Sequence, residues 1–150
     1  MKVLKKSYII IIIVVLFVFI GNYLSNKPKE FPHEDVFNLD IYYKDNVALG
    51  EKTNITVSFS NKGNNDYYIE FSNDIFDVLI NDKRITINND NATIKTRFTN
   101  NETRSKTIAL TTDKIGVYKI EVIVAFKIRL SSTNTKEYYY KKSTSINVTE

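Results

Sequence analysis

The chain has 150 residues, with 21 basic and 17 acidic side chains, one histidine and no cysteine. The missing cysteine excludes disulfides, thiolate metal sites and cysteine nucleophiles, so any folded part is held by packing alone. Residues 1–30 carry five Lys and one Glu, whereas residues 31–150 carry sixteen basic and sixteen acidic side chains, so the basic pI belongs to the start of the chain and marks no nucleic-acid-binding surface beyond it.

Tyr8 to Ile20 reads YIIIIIVVLFVFI, preceded by Lys2, Lys5 and Lys6. Continued through Leu24, the run has 17 residues and spans roughly 25 Å as a helix, a little under a hydrocarbon core of about 30 Å. The interfacial rings of Tyr8 and Tyr23 extend it. An uncleaved signal anchor over residues 1–24, contacting the membrane through residues 8–24, is favoured over a cleaved signal peptide. The reason is that cutting after Gly21 or Ser25 places Phe19 or Tyr23 where a small residue is needed. No cysteine is present to carry a lipid. The lysine-rich flank faces the cytoplasm, which predicts a single-pass protein in the cell membrane with its C-terminal part extracytoplasmic. Residues 25–35 (SNKPKEFPHED) hold both prolines and read as a stalk.

From residue 36 to 150 the chain is long enough for one core. Helix periodicity is nearly absent and period-two alternation recurs. Leu39, Ile41 and Tyr43 alternate with polar neighbours, as do Ile55, Val57 and Phe59, then Tyr67, Ile69 and Phe71. A hairpin is expected between Val78–Ile80 and Arg84–Ile87 around Asn81-Asp82-Lys83. Ile94 and Phe98, then Ile108 and Leu110, mark further strands. The clearest strand runs from Tyr118 to Leu130, with Ile123 and Ala125 interrupting its polar face. It is longer than the usual 5–6 residues, so it either bends or projects. A last strand follows across Ser131–Thr135, with Tyr138, Tyr140, Ile146 and Val148 on one side and Lys142 and Thr144 breaking that face. The pattern predicts an all-β antiparallel sandwich of about 7–9 strands over 36–150, preceded by the single transmembrane helix. A composition rich in Ile, Asn, Lys and Tyr fits a prokaryotic surface protein.

Three segments carry a family likeness. Val47-Ala48-Leu49-Gly50-Glu51 leads into Ile55–Gly63; Tyr67–Phe71 is followed by Phe76-Asp77-Val78; and Ile115-Gly116-Val117-Tyr118 opens the long strand. In this order they resemble prokaryotic immunoglobulin-like domains of cell-surface adhesion modules. They are also similar to the BsuPI-like domain, named after an intracellular proteinase inhibitor of bacilli. The resemblance covers roughly residues 39–128 and implies an immunoglobulin-like sandwich. Its second branch implies protease inhibition as an alternative activity, through a loop near Asn61–Asp66 or Asn88–Asn91, although the anchor and the long C-terminal hairpin depart from that pattern. Gly50 and Gly116 are expected at turns that need a permissive backbone. Tyr118 is expected to bury its ring and rest its hydroxyl on a backbone group, as in a tyrosine corner.

Chemistry-bearing motifs are sparse. The one histidine, His33, lies in the stalk with no fixed partner in view, and hydrolase, zinc and phosphate-loop motifs are absent. No catalytic, cofactor or metal residue is assigned, and the chain is read as a non-enzyme. Asp74, Asp77, Asp82 and Asp90 match no calcium-loop spacing and read as turn residues. Among four N-x-[ST] sequons, Asn91 and Asn101 fall in expected loops and are the candidate glycan acceptors. Where tyrosines are adjacent, a regular strand turns one ring outward, so Tyr42, Tyr68 and Tyr139 are candidates for an exposed aromatic contact surface. The bland alternative is cross-strand packing on a wet face. Together these readings predict a membrane-anchored extracytoplasmic binding or structural module. Its expected partner is an envelope or extracellular protein or glycan, and no nucleic acid is expected.

Overall fold

Alternation of apolar and polar residues puts one side of each strand in a core and the other in water, and two such sheets close on each other. A computed structural model describes residues 30–72, 74–85 and 92–150. Phe31–Glu150 form one unit. The anchor segment and residues 25–29 of the stalk lie outside the described residues. Among the described residues no helix is long and apolar enough to cross a membrane.

Among the described residues a 3-10 turn at Glu34–Val36 precedes ten strands. These are β1 (Phe37–Tyr42), β2 (Asn46–Ala48), β3 (Lys52–Asn61), β4 (Tyr67–Ser72), β5 (Phe76–Ile80), β6 (Lys83–Arg84), β7 (Thr93–Phe98), β8 (Thr103–Thr111), β9 (Gly116–Arg129) and β10 (Thr135–Thr149). One sheet has the order β1-β3-β8. The other runs β2-β10-β9-β4-β7, with β5 also on β9 and β6 on β5.

Three features differ from the sequence expectation, the first being that the described residues form ten strands where about 7–9 were expected. The chain changes sheets between β1 and β2: β1 is antiparallel to β3, and β2 is parallel to β10, so the second sheet is mixed. Backbone bonds from Asn147 to Asp45 (2.8 Å) and from Leu49 to Thr149 (2.9 Å) fasten this short strand. The long β9 does not project unpaired. One edge pairs along all 14 residues with β10, and the other is shared by β5 at Ile120–Val124 and β4 at Lys127–Ile128.

The core is made by both sheets. Phe37 from the first sheet meets Phe98, Phe126 and Tyr138 of the second at ring-centroid distances of 6.1, 5.2 and 5.8 Å, and Phe59 meets Phe98 and Phe126 at 5.7 and 5.5 Å. Ile55, Val57, Ile69, Val78, Ile120, Val122 and Ile146 complete it, fully buried. Burial of each such side chain contributes about 1.5–3 kcal/mol.

Turns follow the local chemistry. Asn81 and Asp82 both have positive φ, 49° and 63°, which is the two-residue hairpin geometry whose twist matches the flanking strands. The expected hairpin therefore forms, and residues 86 and 87 of its second arm lie outside the described residues. Gly50 and Gly116 take φ of 79° and 130°, the backbone freedom expected of them.

Candidate functional site

The three outward tyrosines are exposed as the alternation predicts: Tyr42 59%, Tyr68 63% and Tyr139 63%. They do not form one surface. Tyr42 pairs with Thr56 on the three-strand sheet. Tyr139 pairs with Ala125, and Tyr68 with Arg97, on the outer face of the other sheet. On that second face the rings stand among charges. Lys127 meets Glu137 (2.7 Å), Lys141 meets Glu121 (2.8 Å), and Glu70 receives both Lys95 (3.4 Å) and Arg129 (3.3 Å). Ile123, opposite Lys141 on one side and Asp77 on the other, is half-buried in this lattice, and Ala125 beside Tyr139 is exposed.

Where β8 turns into β9, Tyr118 is buried and its hydroxyl accepts from the amides of Asp113 and Lys114, both at 3.0 Å, and donates to the Asp113 carboxylate. The tyrosine-corner expectation is met. The hydrogen bond from Tyr118 holds the Asp113 carboxyl below the usual carboxylate range, against a weaker upward push from desolvation.

The chain enters the sandwich along β10. The Tyr138 hydroxyl donates to the Pro32 carbonyl and the Tyr140 hydroxyl to the Glu34 carbonyl, each at 2.7 Å. Phe31 packs against the core and Pro32 is buried, so Phe31–Asp35, grouped with the stalk by composition, lie on the sandwich. Desolvation pushes the Tyr138 phenol up to about 12. Tyr140 is raised too, again mainly by burial. Lys142 and Thr144, which interrupt the inner face of β10, find partners at the open side. Lys142 donates to the Leu39 carbonyl (3.0 Å) and to the Asp40 carboxylate (2.9 Å), and Thr144 bonds the Tyr43 hydroxyl.

Asn61 gave no functional signal in the sequence beyond its place in a turn. It is fully buried. Its amide nitrogen donates to the carbonyls of Asn65 (2.9 Å) and Thr99 (3.0 Å), and its oxygen accepts from the Gly63 amide (3.0 Å). One side chain thus ties the β3–β4 loop to the β7–β8 turn. That loop, one of two candidates for an inhibitory loop, is held by its own first residue; the other, Asn88–Asn91, lies outside the described residues.

The remaining candidates separate. His33 is exposed at the start of the 3-10 turn and its side chain makes no capping bond. Asp74 meets Lys106, Asp77 meets Arg84 (2.6 Å) and Asp82 meets Lys119 (3.7 Å), so these carboxylates are dispersed among three cations. Asp90 lies outside the described residues. Among the described residues no three His, Cys, Asp or Glu converge as a metal site. Asn101 is exposed in the β7–β8 turn at φ 58°, and Asn91 lies outside the described residues. A groove between the sheets is lined by Phe71, Ile75, Phe76 and Ile94, with Lys106 and Asp74 also along it.

No family model matches the sequence, and no curated protein matches it. Solved structures do. The CARDB domain of a Pyrococcus furiosus protein, crystallised in complex with di-metal ions, is 18% identical with a TM-score of 0.53, covering 84% of this chain and 96% of that one. The solution structure of that domain gives 15% identity and a TM-score of 0.48 over 75% of this chain and 94% of that one. A β-glucosidase from Listeria innocua matches with 14% identity and a TM-score of 0.36, over 75% of this chain and 16% of the enzyme. The first of these supports an immunoglobulin-like sandwich as found in prokaryotes. It lends no support to the proteinase-inhibitor branch of the resemblance.

Proposed function

We propose that the chain is a membrane-anchored, extracytoplasmic immunoglobulin-like module that works by contact and not by catalysis. The observation that carries this reading is how the sandwich uses its titratable groups. Asp74, Asp77, Asp82, Glu70, Glu121 and Glu137 are each taken by a Lys or Arg, Glu51 by Lys44 (2.8 Å), and Glu102 by Arg104 (2.8 Å). Groups engaged in this way lace a surface together; a general base has to stand within reach of a substrate proton. The apolar run Tyr8–Ile20 behind Lys2, Lys5 and Lys6 supports the tether and its orientation. The glycan-acceptor roles of Asn91 and Asn101 belong to the same extracytoplasmic reading.

The test is accessibility on intact cells. A protease added outside should remove an epitope placed after Glu150 while leaving one placed before Met1 intact, and the protein should stay with the membrane after a high-salt wash. A protected C-terminal epitope, or release of the protein by salt, would overturn the reading.

A further inference from the structure

The outer face of the three-strand sheet differs in kind from that of its partner sheet. Register sets the side chains of this face in cross-strand rows: Asn38–Ser60–Thr103, in which Ser60 itself is buried, then Asp40–Ser58–Ser105, Tyr42–Thr56–Thr107, Asn54–Ala109 and Lys52–Thr111. Hydroxyls and amides dominate this grid. Its two charges are peripheral: Asp40, on the edge strand, is held by Lys142 at 2.9 Å, and Lys52 occupies the far corner. Thr56 and Thr107 bond each other at 3.0 Å, while Thr103, Ser105 and Thr111 are exposed and Ser58 is half-buried. Tyr42 is exposed at the edge of the third row. The opposite sheet carries the ion-pair lattice already described.

We infer that this hydroxyl-lined face, uncharged at its centre, is a docking surface for an extended neutral polysaccharide. The inference rests on the reading of the chain as a displayed contact module and names the chemistry of its partner. Complementarity decides the class. A charged polymer finds no counter-charge in the middle of the grid, and a protein partner finds no apolar centre there, since Tyr42 is its one large ring. A sugar polymer presents many hydroxyls, each donor and acceptor, which can replace water on the exposed Ser and Thr hydroxyls and on the Asn54 amide, whereas the Asn38 amide donates to the Asp40 carboxylate. The C–H face of a pyranose ring can lie on the electron-rich face of Tyr42. Rows about 6.8 Å apart and strands about 4.8 Å apart make a patch wider than one sugar ring, which favours a chain over a free monosaccharide.

The experiment is co-sedimentation of the full chain, in detergent micelles, with amorphous cellulose and chitin as neutral polymers and with immobilised polygalacturonate as an anionic one. Expected is retention on a neutral polymer that survives high salt. Tyr42→Ala should weaken it about tenfold, the scale of one lost aromatic contact. Tyr42→Phe should retain it, Ser105→Glu should abolish it by planting a charge in the grid, and Tyr139→Ala on the other face should leave it unchanged. Matching melting curves separate loss of binding from loss of fold. The inference is overturned by no retention on either neutral polymer, by retention confined to polygalacturonate, or by equal loss with Tyr139→Ala. It also falls if Tyr42→Ala instead abolishes self-association measured by sedimentation velocity, which would make the face a contact between copies. Failure on the polymers with the C-terminal epitope still exposed on cells removes this inference alone. Retention with a protected epitope removes the display reading and leaves the surface.

Discussion

At the scale of single residues, a few side chains hold backbone groups at the ends of the strands. Asn61→Ala removes a buried side-chain amide from the backbone of Gly63, Asn65 and Thr99, which is only partly shielded from water, so we expect a loss of about 1–3 kcal/mol in chemical denaturation. Gly63 belongs to the same knot. A Cβ there would lie 2.6 Å from Val36 Cγ1, so Gly63→Ala should cost about 1–3 kcal/mol, and the added Val36→Ala should recover part of it, as a double-mutant cycle would show. Tyr118→Phe leaves the amides of Asp113 and Lys114 without their acceptor and should cost about 1–3 kcal/mol. Its pH signature has a fixed sign. The Asp113 pKa is lowered in the fold, so its stabilisation is present above the unfolded carboxylate value and is lost as pH falls through the folded one. The variant should return the Asp113 carboxyl toward its ordinary titration, which NMR would follow. Tyr118 was legible because a tyrosine two residues after a turn glycine has a known use. Asn61 was not, because an Asn in Asn-Lys-Gly looks like any solvated turn residue until Thr99, 38 positions later, comes beside it.

At the scale of elements, the strands that could be read were those whose alternation outlasts one turn of ambiguity. β9 is the extreme case, with six inward apolar side chains in succession from Tyr118 to Ile128. β2 could not be read: three residues with one buried Val47 carry no period, and its partner lies a hundred residues away on β10. β10 was legible only at its ends. Lys142 and Thr144 looked like breaks because alternation assumes an apolar neighbour, whereas the middle of β10 faces the carbonyl of Leu39 and the hydroxyl of Tyr43. The same strand fixes the entering segment through two phenols. The Tyr138 pKa is raised from 10 to about 12, mainly by desolvation, so the neutral form is the one the fold favours. Its contribution is present below pH 10 and disappears as pH rises through about 12, because a phenolate cannot donate to the Pro32 carbonyl. Stability measured between pH 9 and 12 should fall, and Tyr138→Phe should flatten part of that fall while lowering stability at neutral pH.

At the scale of the whole molecule, charge and hydropathy divide the chain where its fold begins. The sixteen acidic and sixteen basic side chains after residue 30 cancel, and many are fixed in cross-strand pairs, so the sandwich itself has no net field to bring it to an anionic bilayer. Under the anchored reading proposed above, attachment comes from the first segment. On an insertion scale where Ile, Leu, Val and Phe each contribute about −0.3 to −0.6 kcal/mol, the apolar run supplies only several kcal/mol, because it is short for a full span. One Arg at the middle of a span costs about 2.5–3.5 kcal/mol on the same scale, so Val14→Arg should leave attachment partial and Val14→Arg with Phe17→Asp should release the protein. Orientation rests on a different term. Lys2, Lys5 and Lys6 stand against Lys27 and Lys29 on the far flank, a bias of one lysine with closer spacing. Replacing the first three lysines with Gln should therefore yield a mixed population in which protease cleaves only part of the C-terminal epitope outside. Retention unchanged by the double charge would show that attachment comes from elsewhere in the chain. A mixed population from the lysine variant together with release by the double charge would show that one segment supplies the tether and its flanks supply the direction.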